Sequence, residues 1–424
     1  MRTRRCALTF VGLLFPAMIL FSSCGGRGVS NSSTPNSGGT AAANSVSLSV
    51  GPGPSDMTNP AGGFANILFA TVSVCQPGTS NCANIDHVLV DTGSSGLRLL
   101  ASELPGSLAL PGAKSGSNSL YECLPFVDSY TWGNVVTVDL ELAGEKASSL
   151  PVQLINNAAA PTTCSGTVAV SGSSQVATVN DLGAKGILGV GNFGADCGTY
   201  CTSVAKFDLY FACSSTSATS CTQTGVPVAQ QVPNPVQMFT GDNNGVAIQM
   251  ASVSTGGAAS ATGTLFFGVG TQADNTPSAA VKVLGLNDVG NFGTTFQSVS
   301  YPNSFADTGS NSLFFGTYDA TAKKASTGIP ACNLGTTANP AYFYCPTSEL
   351  SETATMTSGS TSAAVSFNVG NVNNLNGYAL SDLGATNSDG TSFDWGLPFF
   401  YGRTVYVGLE GSKSSVGSGK YIAF

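Results

Sequence analysis

Two short stretches of the chain carry the same four residues, Asp-Thr-Gly-Ser, at positions 91–94 and 307–310. Each follows an apolar stretch, and each half of the 424-residue chain supplies one copy. Two facing carboxyl groups cannot both ionise easily, so one keeps its proton while its neighbour can act as a base. One such pair can therefore supply acid and base catalysis together. The sequence thus predicts Asp91 and Asp307 as the catalytic residues of a paired-aspartate hydrolase.

Other hydrolytic chemistries lack the residues that they need. The chain has a single histidine, His87, so a zinc site with two histidine ligands is excluded. No recognisable nucleophile turn offers His87 a partner for a catalytic triad, and its strand-like surroundings favour a structural role. The phosphate-binding pattern GxxxxGK[ST] is also absent. We therefore expect neither a metal nor an organic cofactor.

The composition is typical of an all-β protein outside the cytoplasm. Charged residues make up 9% of the chain and hydrophobic residues 42%, and there are 52 glycines. Segments 66–74, 135–142 and 404–409 show strand patterns, whereas few stretches have a helical period. The length suits about two domains or one large bilobal unit.

The N-terminus looks like an export signal. Three arginines precede an apolar stretch, 6–21, which is too short for a comfortable membrane span. Ser22, Ser23 and Cys24 then resemble a bacterial lipoprotein cleavage box, with an ordinary secretory signal as the alternative. We predict a lipoprotein signal peptide over 1–23, lipidation of Cys24, and a flexible tether over 24–50. The expected location is the cell envelope, lipid-anchored, with Gly25 favouring the outer membrane.

The charge of the chain limits its partners. Without the three signal arginines, 12 basic residues remain against 23 acidic ones, which gives a net charge of −11. A chain this acidic is not expected to bind nucleic acid through phosphate contacts. We expect a monomer whose membrane contact is the lipid at Cys24.

Ten cysteines remain after Cys6 and Cys24, and export to an oxidising compartment favours disulfides. Sequence alone does not fix the connectivity, but spacing favours local pairs and leaves one longer pair by elimination. The expected pairs are Cys75–Cys82, Cys197–Cys201, Cys213–Cys221, Cys332–Cys345 and Cys123–Cys164.

The two Asp-Thr-Gly-Ser stretches and their surroundings resemble the pepsin-like aspartic peptidases. Segment 66–95 looks like the opening hairpin of that family, which leads into the first catalytic turn. Segments 186–189 and 394–396 resemble the stretches that thread behind the two aspartates. The resemblance covers roughly residues 60–424, in the order of the family. The export signal and low charge also resemble a group of uncharacterised bacterial lipoproteins.

This resemblance implies an all-β, bilobal pepsin-like fold, with two β-barrel-like lobes, 51–255 and 256–424, around a central cleft. Asp91 and Asp307 would hold a water molecule between them, and an extended peptide would lie along the cleft. It implies supporting roles for six neighbours: sharp turns at Gly93 and Gly309, hydrogen bonds from Ser94 and Ser310, and bracing by Thr92 and Thr308. The alternative is that both Asp-Thr-Gly-Ser stretches are ordinary β-turns.

Departures from the family pattern concern the flap and the residues near the dyad. Alignment puts Phe126 where the family has a flap tyrosine, and Tyr130 and Trp132 lie nearby as possible replacements or core residues. Arg98 stands where the family usually has a tryptophan. Two roles are open for it: a cation in the substrate site, or a structural arginine. Asp394 replaces an apolar residue. We therefore predict an aspartic endopeptidase. The alternatives are a non-catalytic lipoprotein that binds peptide or glycan and a purely structural envelope protein.

Overall fold

The computed structural model describes residues 44–58, 65–127, 129–161, 164, 174–204, 209–336 and 340–424. The predicted signal peptide, Cys24 and the tether up to residue 43 lie outside the described residues. Within them, no helix has the length and apolar character needed to cross a membrane.

Strands dominate the first half of the chain, as its alternating patterns predict. They are β1 (Ser45–Val50), β2 (Leu68–Cys75), β3 (Cys82–Asp91), β4 (Ser95–Leu100), β5 (Lys114–Ser115), β6 (Asn118–Pro125), β7 (Ser129–Leu142), β8 (Glu145–Ile155), β9 (Ser174–Val176), β10 (Gly186–Val190), β11 (Tyr210–Cys213), β12 (Cys221–Gln223) and β13 (Gly245–Met250).

The second half continues the same pattern. Its strands are β14 (Ala261–Phe267), β15 (Val283–Gly285), β16 (Phe292–Phe296), β17 (Val299–Ala306), β18 (Leu313–Phe314), β19 (Tyr318–Asp319), β20 (Lys324–Ala325), β21 (Ala331–Asn333), β22 (Tyr342–Tyr344), β23 (Leu350–Ser358), β24 (Thr361–Val369), β25 (Gly384–Ala385), β26 (Asp394–Trp395), β27 (Thr404–Gly408) and β28 (Tyr421–Ala423).

Helices are short. The α-helices are α1 (Val179–Leu182) and α2 (Leu397–Phe400), and 3-10 turns occur at Ala101–Glu103, Gly198–Thr202, Ala218–Ser220, Val228–Gln230, Pro235–Met238 and Val372–Asn374.

The same strand arrangement occurs once in each lobe. In the first lobe β10 runs parallel to β3 and antiparallel to β4, so it lies between the strands on either side of residues 91–94. In the second lobe β26 lies in the same way between β17 and β18, beside residues 307–310. The predicted all-β, bilobal fold is therefore confirmed. Each Asp-Thr-Gly-Ser turn has its own threading strand.

The large sheet that contains β3, β4 and β10 also includes a run of strands that joins the lobes. This run has the order β2–β1–β14–β13–β27–β28–β15 and so combines the beginning, middle and end of the described chain. β1 pairs with β14 along its whole length and also pairs with β2. The predicted end of the tether at residue 50 is therefore wrong: alternation of apolar residues lets 45–50 bury Leu48 and Val50 in the sheet. The predicted lobe boundary at 255/256 falls between β13 and β14 of this sheet.

All five expected disulfides are present: Cys75–Cys82, Cys123–Cys164, Cys197–Cys201, Cys213–Cys221 and Cys332–Cys345. Cys75 and Cys82 face each other across the hairpin of β2 and β3, which ends at Asp91. This disulfide therefore closes the end of the hairpin that is remote from the aspartate.

Candidate active site

Asp91 and Asp307 meet where the two lobes join. Each follows or ends a strand, β3 for Asp91 and β17 for Asp307, and each is about 1% exposed. The carboxyl group of Asp307 lies against Gly93, and that of Asp91 lies against Gly309. The sequence places these aspartates in separate halves of the chain, and the fold brings them into contact.

Each aspartate is held by its own turn in the same way. The amide of Gly93 donates to Asp91 Oδ1, and the amide of Gly309 donates to Asp307 Oδ1, both at 2.7 Å. The Ser94 hydroxyl donates to Asp91 Oδ2, and the Ser310 hydroxyl lies 3.2 Å from Asp307 Oδ2. The hydrogen bonds that the family resemblance implies for Ser94 and Ser310 are thus present.

Thr92 and Thr308 link the two turns reciprocally. The Thr92 amide donates to Thr308 Oγ1 at 3.1 Å, and the Thr308 amide donates to Thr92 Oγ1 at 3.0 Å. Their hydroxyls then donate across the junction, from Thr92 to the Ala306 carbonyl and from Thr308 to the Val90 carbonyl. Since all these groups are buried, the bonds fix the distance between the two aspartates.

The threading strands need glycine where they pass the turns. A Cβ on Gly189 would lie 2.8 Å from Ser94 Oγ, and a Cβ on Gly396 would lie 2.6 Å from the Ser310 carbonyl oxygen. Both glycines thus permit a backbone approach that a larger residue would prevent.

The environment of the dyad makes its two carboxyls different. Burial, followed by the neighbouring carboxyl groups of Asp91 and Asp394, raises the pKa of Asp307 well above its usual range. Asp307 is therefore the carboxyl that keeps a proton when the site carries one. This asymmetry matches what paired acid and base catalysis requires.

Asp394 is a third buried carboxyl beside the dyad. Its Oδ2 accepts a hydrogen bond of 2.6 Å from Ser310 Oγ, the hydroxyl that also contacts Asp307. Its Oδ1 has no hydrogen-bond partner within the described part of the chain. Burial raises the pKa of Asp394 well above its usual range, although the Ser310 hydrogen bond acts in the opposite direction. The sequence shows Asp394 as a departure from the family, but its contact with Ser310 depends on tertiary structure.

Comparison with known proteins places the chain in a family without an assigned activity. A family model described as "Protein of unknown function (DUF3443)" matches residues 40–424. The chain belongs to this family. No curated protein matches it.

Among solved structures, the crystal structure of an aspartic proteinase from Irpex lacteus is similar to this DUF3443 chain. The identity is 16% and the TM-score 0.47, over 89% of this chain and 96% of that chain. So distant a likeness assigns no function to the DUF3443 chain.

Arg98 of this DUF3443 chain lies inside the first lobe. Its side chain is fully buried and pairs with Glu122 Oε1 at 2.7 Å and Asp196 Oδ2 at 3.3 Å. It also donates to the Ser95 carbonyl at 2.8 Å, directly after the first turn. The predicted place of Arg98 in the substrate site, beside Asp91, is therefore wrong: two buried carboxylates hold its guanidinium elsewhere.

The aromatic residues expected on a flap belong to a hairpin made by β6 and β7, which pair from Tyr121 to Pro125. Phe126 is 4% exposed and packs in an apolar cluster with Leu124 and Val176. Trp132 is 1% exposed and stacks on Tyr121. The structure uses both rings as core rather than as cleft lining.

Tyr130 differs from those two rings. It pairs with Pro125 near the tip of the hairpin and keeps an intermediate exposure. Partial burial raises the pKa of its phenol. Of the three aromatics predicted for the flap, Tyr130 is thus the one whose side chain reaches solvent.

The described residues bring one potential metal-ligand cluster together, made of Cys75, Cys82 and Glu141. Both sulfur atoms belong to a disulfide, so they cannot serve as thiolate ligands. The three aspartates of the site do not form such a cluster within the described residues.

Proposed function

We propose that this chain is an aspartic endopeptidase that hydrolyses peptide bonds with Asp91 and Asp307. The observation that carries the proposal is the pair itself: two buried carboxyls, each against the glycine of the opposite turn, with reciprocal threonine bonds between the turns. A pair of ordinary β-turns would not need this reciprocal bracing.

The proposed reaction starts with the proton on Asp307 and with Asp91 ionised. Asp91 takes a proton from water, and the water oxygen attacks the scissile carbonyl carbon. Asp307 gives its proton to the carbonyl oxygen, so a neutral tetrahedral diol forms. Asp91 then gives its proton to the amide nitrogen, and Asp307 takes a proton from one hydroxyl of the diol as the C–N bond breaks, which yields a carboxyl group and an amine and restores the dyad.

We propose that the substrate is an extended peptide beside the β6–β7 hairpin. The partly exposed Tyr130 supplies an aromatic contact near the hairpin tip. Backbone hydrogen bonding of an extended chain suits a strand-lined site.

We further propose that the protein acts in the cell envelope, anchored by a lipid on Cys24. The signal-like N-terminus supports this location, and five disulfides suit an oxidising compartment.

The test is cleavage of unfolded casein by the purified chain from about pH 3 to 7, the range in which carboxyl groups titrate. Asp91→Asn, Asp307→Asn and a statine-type transition-state analogue complete the set. We expect cleavage by the wild type, and loss of cleavage in both variants and with the analogue. Equal, negligible cleavage in every sample would contradict the proposal and favour a non-catalytic peptide- or glycan-binding lipoprotein.

A further inference from the structure

Three carboxyl groups lie in a row at the junction of the lobes. Asp91 contacts Asp307, and the hydroxyl of Ser310 lies between Asp307 and Asp394. All four residues are at most 1% exposed. Paired-aspartate chemistry as described above uses two of these carboxyls and leaves Asp394 without a role.

The hydroxyl hydrogen of Ser310 can serve only one of its two carboxyl neighbours. Ser310 Oγ has a single hydrogen to donate, yet it contacts oxygen atoms of both Asp307 and Asp394. If Ser310 donates to Asp307, the bond of 2.6 Å to Asp394 must use a proton that Asp394 carries. If Ser310 donates to Asp394, Asp307 must bring the proton of the longer contact at 3.2 Å, and the shorter distance to Asp394 favours this second arrangement.

The first lobe lacks this third carboxyl. Pairing of the threading strands makes Ile187 the equivalent of Asp394: Ile187 faces Leu89 and Arg98, as Asp394 faces Phe305 and Phe314. Ile187 is fully buried and apolar. The two serines of the dyad therefore have different surroundings, although the two lobes share one backbone plan.

We infer that Asp394 is a positioning residue: a buried carboxyl that carries its own proton, accepts the Ser310 hydrogen on Oδ2, and so keeps the shared proton of the dyad on Asp307. The catalytic consequence rests on the proposed function, whereas the protonation of Asp394 does not.

The groups that face Asp394 support a neutral carboxyl. Asp307 follows β17 and Asp91 ends β3, and both are acidic. β18 and α2 carry no charged residue. Arg403, which follows α2 in the chain, donates to the Phe399 and Ser366 carbonyls. None of the ion pairs in the described ranges includes one of the three aspartates. A buried carboxyl without a cation keeps its proton.

The first measurement is the pH profile of kcat/KM for the full chain and two variants. Asp394→Leu frees Ser310 to donate fully to Asp307, which favours the ionised form of Asp307. The alkaline limb should therefore move to lower pH by about one unit. Asp394→Asn keeps a neutral group whose side-chain oxygen can accept from Ser310, so its limb should stay within a few tenths of the wild type. An unmoved limb in the Leu variant, or equal shifts in both variants, would overturn the inference.

The second measurement needs no peptidase activity: thermal unfolding of the same proteins from pH 4 to 7. An aspartate that keeps its proton in the folded chain loses it in the unfolded chain above about pH 3.9. Wild-type stability should therefore fall as pH rises, relative to both Asp394 variants. Ile187→Val, the matched change in the first lobe, should give an offset that does not vary with pH.

The two measurements separate the two possible failures. A Tm difference between the Asp394 variants and the wild type that stays constant with pH would overturn the inference, whatever the activity. A wild-type Tm that falls relative to both Asp394 variants as pH rises, together with no peptide cleavage in any sample, would support the protonated Asp394 and contradict only the proposed peptidase activity.

Discussion

At the scale of single residues, Gly93 and Gly309 determine how close the carboxyl groups of Asp91 and Asp307 can come to each other. A Cβ on Gly93 would lie 2.5 Å from Asp307 Oδ2, and a Cβ on Gly309 would lie 2.7 Å from Asp91 Oδ1. Each glycine thus leaves room for the aspartate of the other lobe. The need for glycine is set by the opposite turn rather than by backbone angles alone.

We expect Gly93→Ala to lower kcat/KM by about 100-fold or more, because displacement of a catalytic group by about 1 Å has an effect of that size. Peptide cleavage measured beside circular dichroism separates misplacement from unfolding. Gly106→Ala is the matched control, since a Cβ there meets no atom within 4 Å. Full activity in Gly93→Ala would mean that the carboxyls need not approach as closely as described.

At the scale of elements, a buried ionic network joins the strand after the first turn to the hairpin. Arg98 of β4 contacts Glu122 of β6 and Asp196, and the Tyr210 hydroxyl donates to Asp196 at 2.7 Å. Burial and the charge of Glu122 raise the pKa of Asp196 well above its usual range, while Arg98 acts to lower it. The network therefore holds the hairpin against β4, provided that Arg98 stays in place.

Arg98→Met should lower the free energy of unfolding by about 3–5 kcal/mol at pH 7, since it leaves buried carboxyls without their cation. Without Arg98, Asp196 binds a proton more tightly in the folded chain than in the unfolded chain. The loss should therefore shrink as pH falls towards 4. Urea unfolding at both pH values measures it, with the exposed Lys114→Met as control, expected within about 0.5 kcal/mol of wild type. A loss that does not vary with pH would contradict this account of the network.

At the scale of the whole molecule, Asn66 ties the start of β2 to the second lobe. Its Nδ2 donates to the Asn311 and Leu380 carbonyls at 2.7 and 2.8 Å. Its Oδ1 accepts from the Leu380 amide and the Tyr401 hydroxyl. Its φ of 56° lies in the left-handed region, where asparagine is well tolerated. One buried side chain thus satisfies four groups, and one of them belongs to Asn311, which directly follows the second Asp-Thr-Gly-Ser stretch.

Asn66→Gly should lower the free energy of unfolding by at least about 2 kcal/mol, because buried polar groups lose their partners. Asn66→Ala should be less stable by a further ~1 kcal/mol, since a Cβ disfavours the left-handed conformation. Denaturant unfolding of both variants separates hydrogen bonding from backbone strain. Wild-type stability in Asn66→Gly would show that these bonds add nothing to the lobe junction.

Local pattern in the sequence predicts much of the fold and the dyad. Apolar alternation indicates the strands, and the repeated tetrad indicates Asp91 and Asp307, because both signals depend on neighbouring residues. Short loop lengths make four of the five disulfides the natural pairs. The sequence also shows the glycines of the threading strands, since they stand next to apolar residues.

What the sequence did not predict depends on contacts between distant segments. Arg98 finds Glu122 and Asp196 only after three separate segments have packed together. Asp394 meets Ser310 only through the threading of β26 between β17 and β18. The residues at 45–50 read as a polar tether because alternate positions are serine, and pairing with β14 makes them a strand. Register and tertiary partners decide each of these cases.

The central claim is that Asp91 and Asp307 act as one catalytic unit. The measurement that tests it most directly is kcat/KM on one cleaved peptide for Asp91→Asn, Asp307→Asn and the double variant. Residues that work as a unit give strongly non-additive losses. We predict that each single variant loses about as much activity as the double variant. Wild-type-like cleavage in either single variant, or losses that simply multiply in the double variant, would contradict a shared dyad.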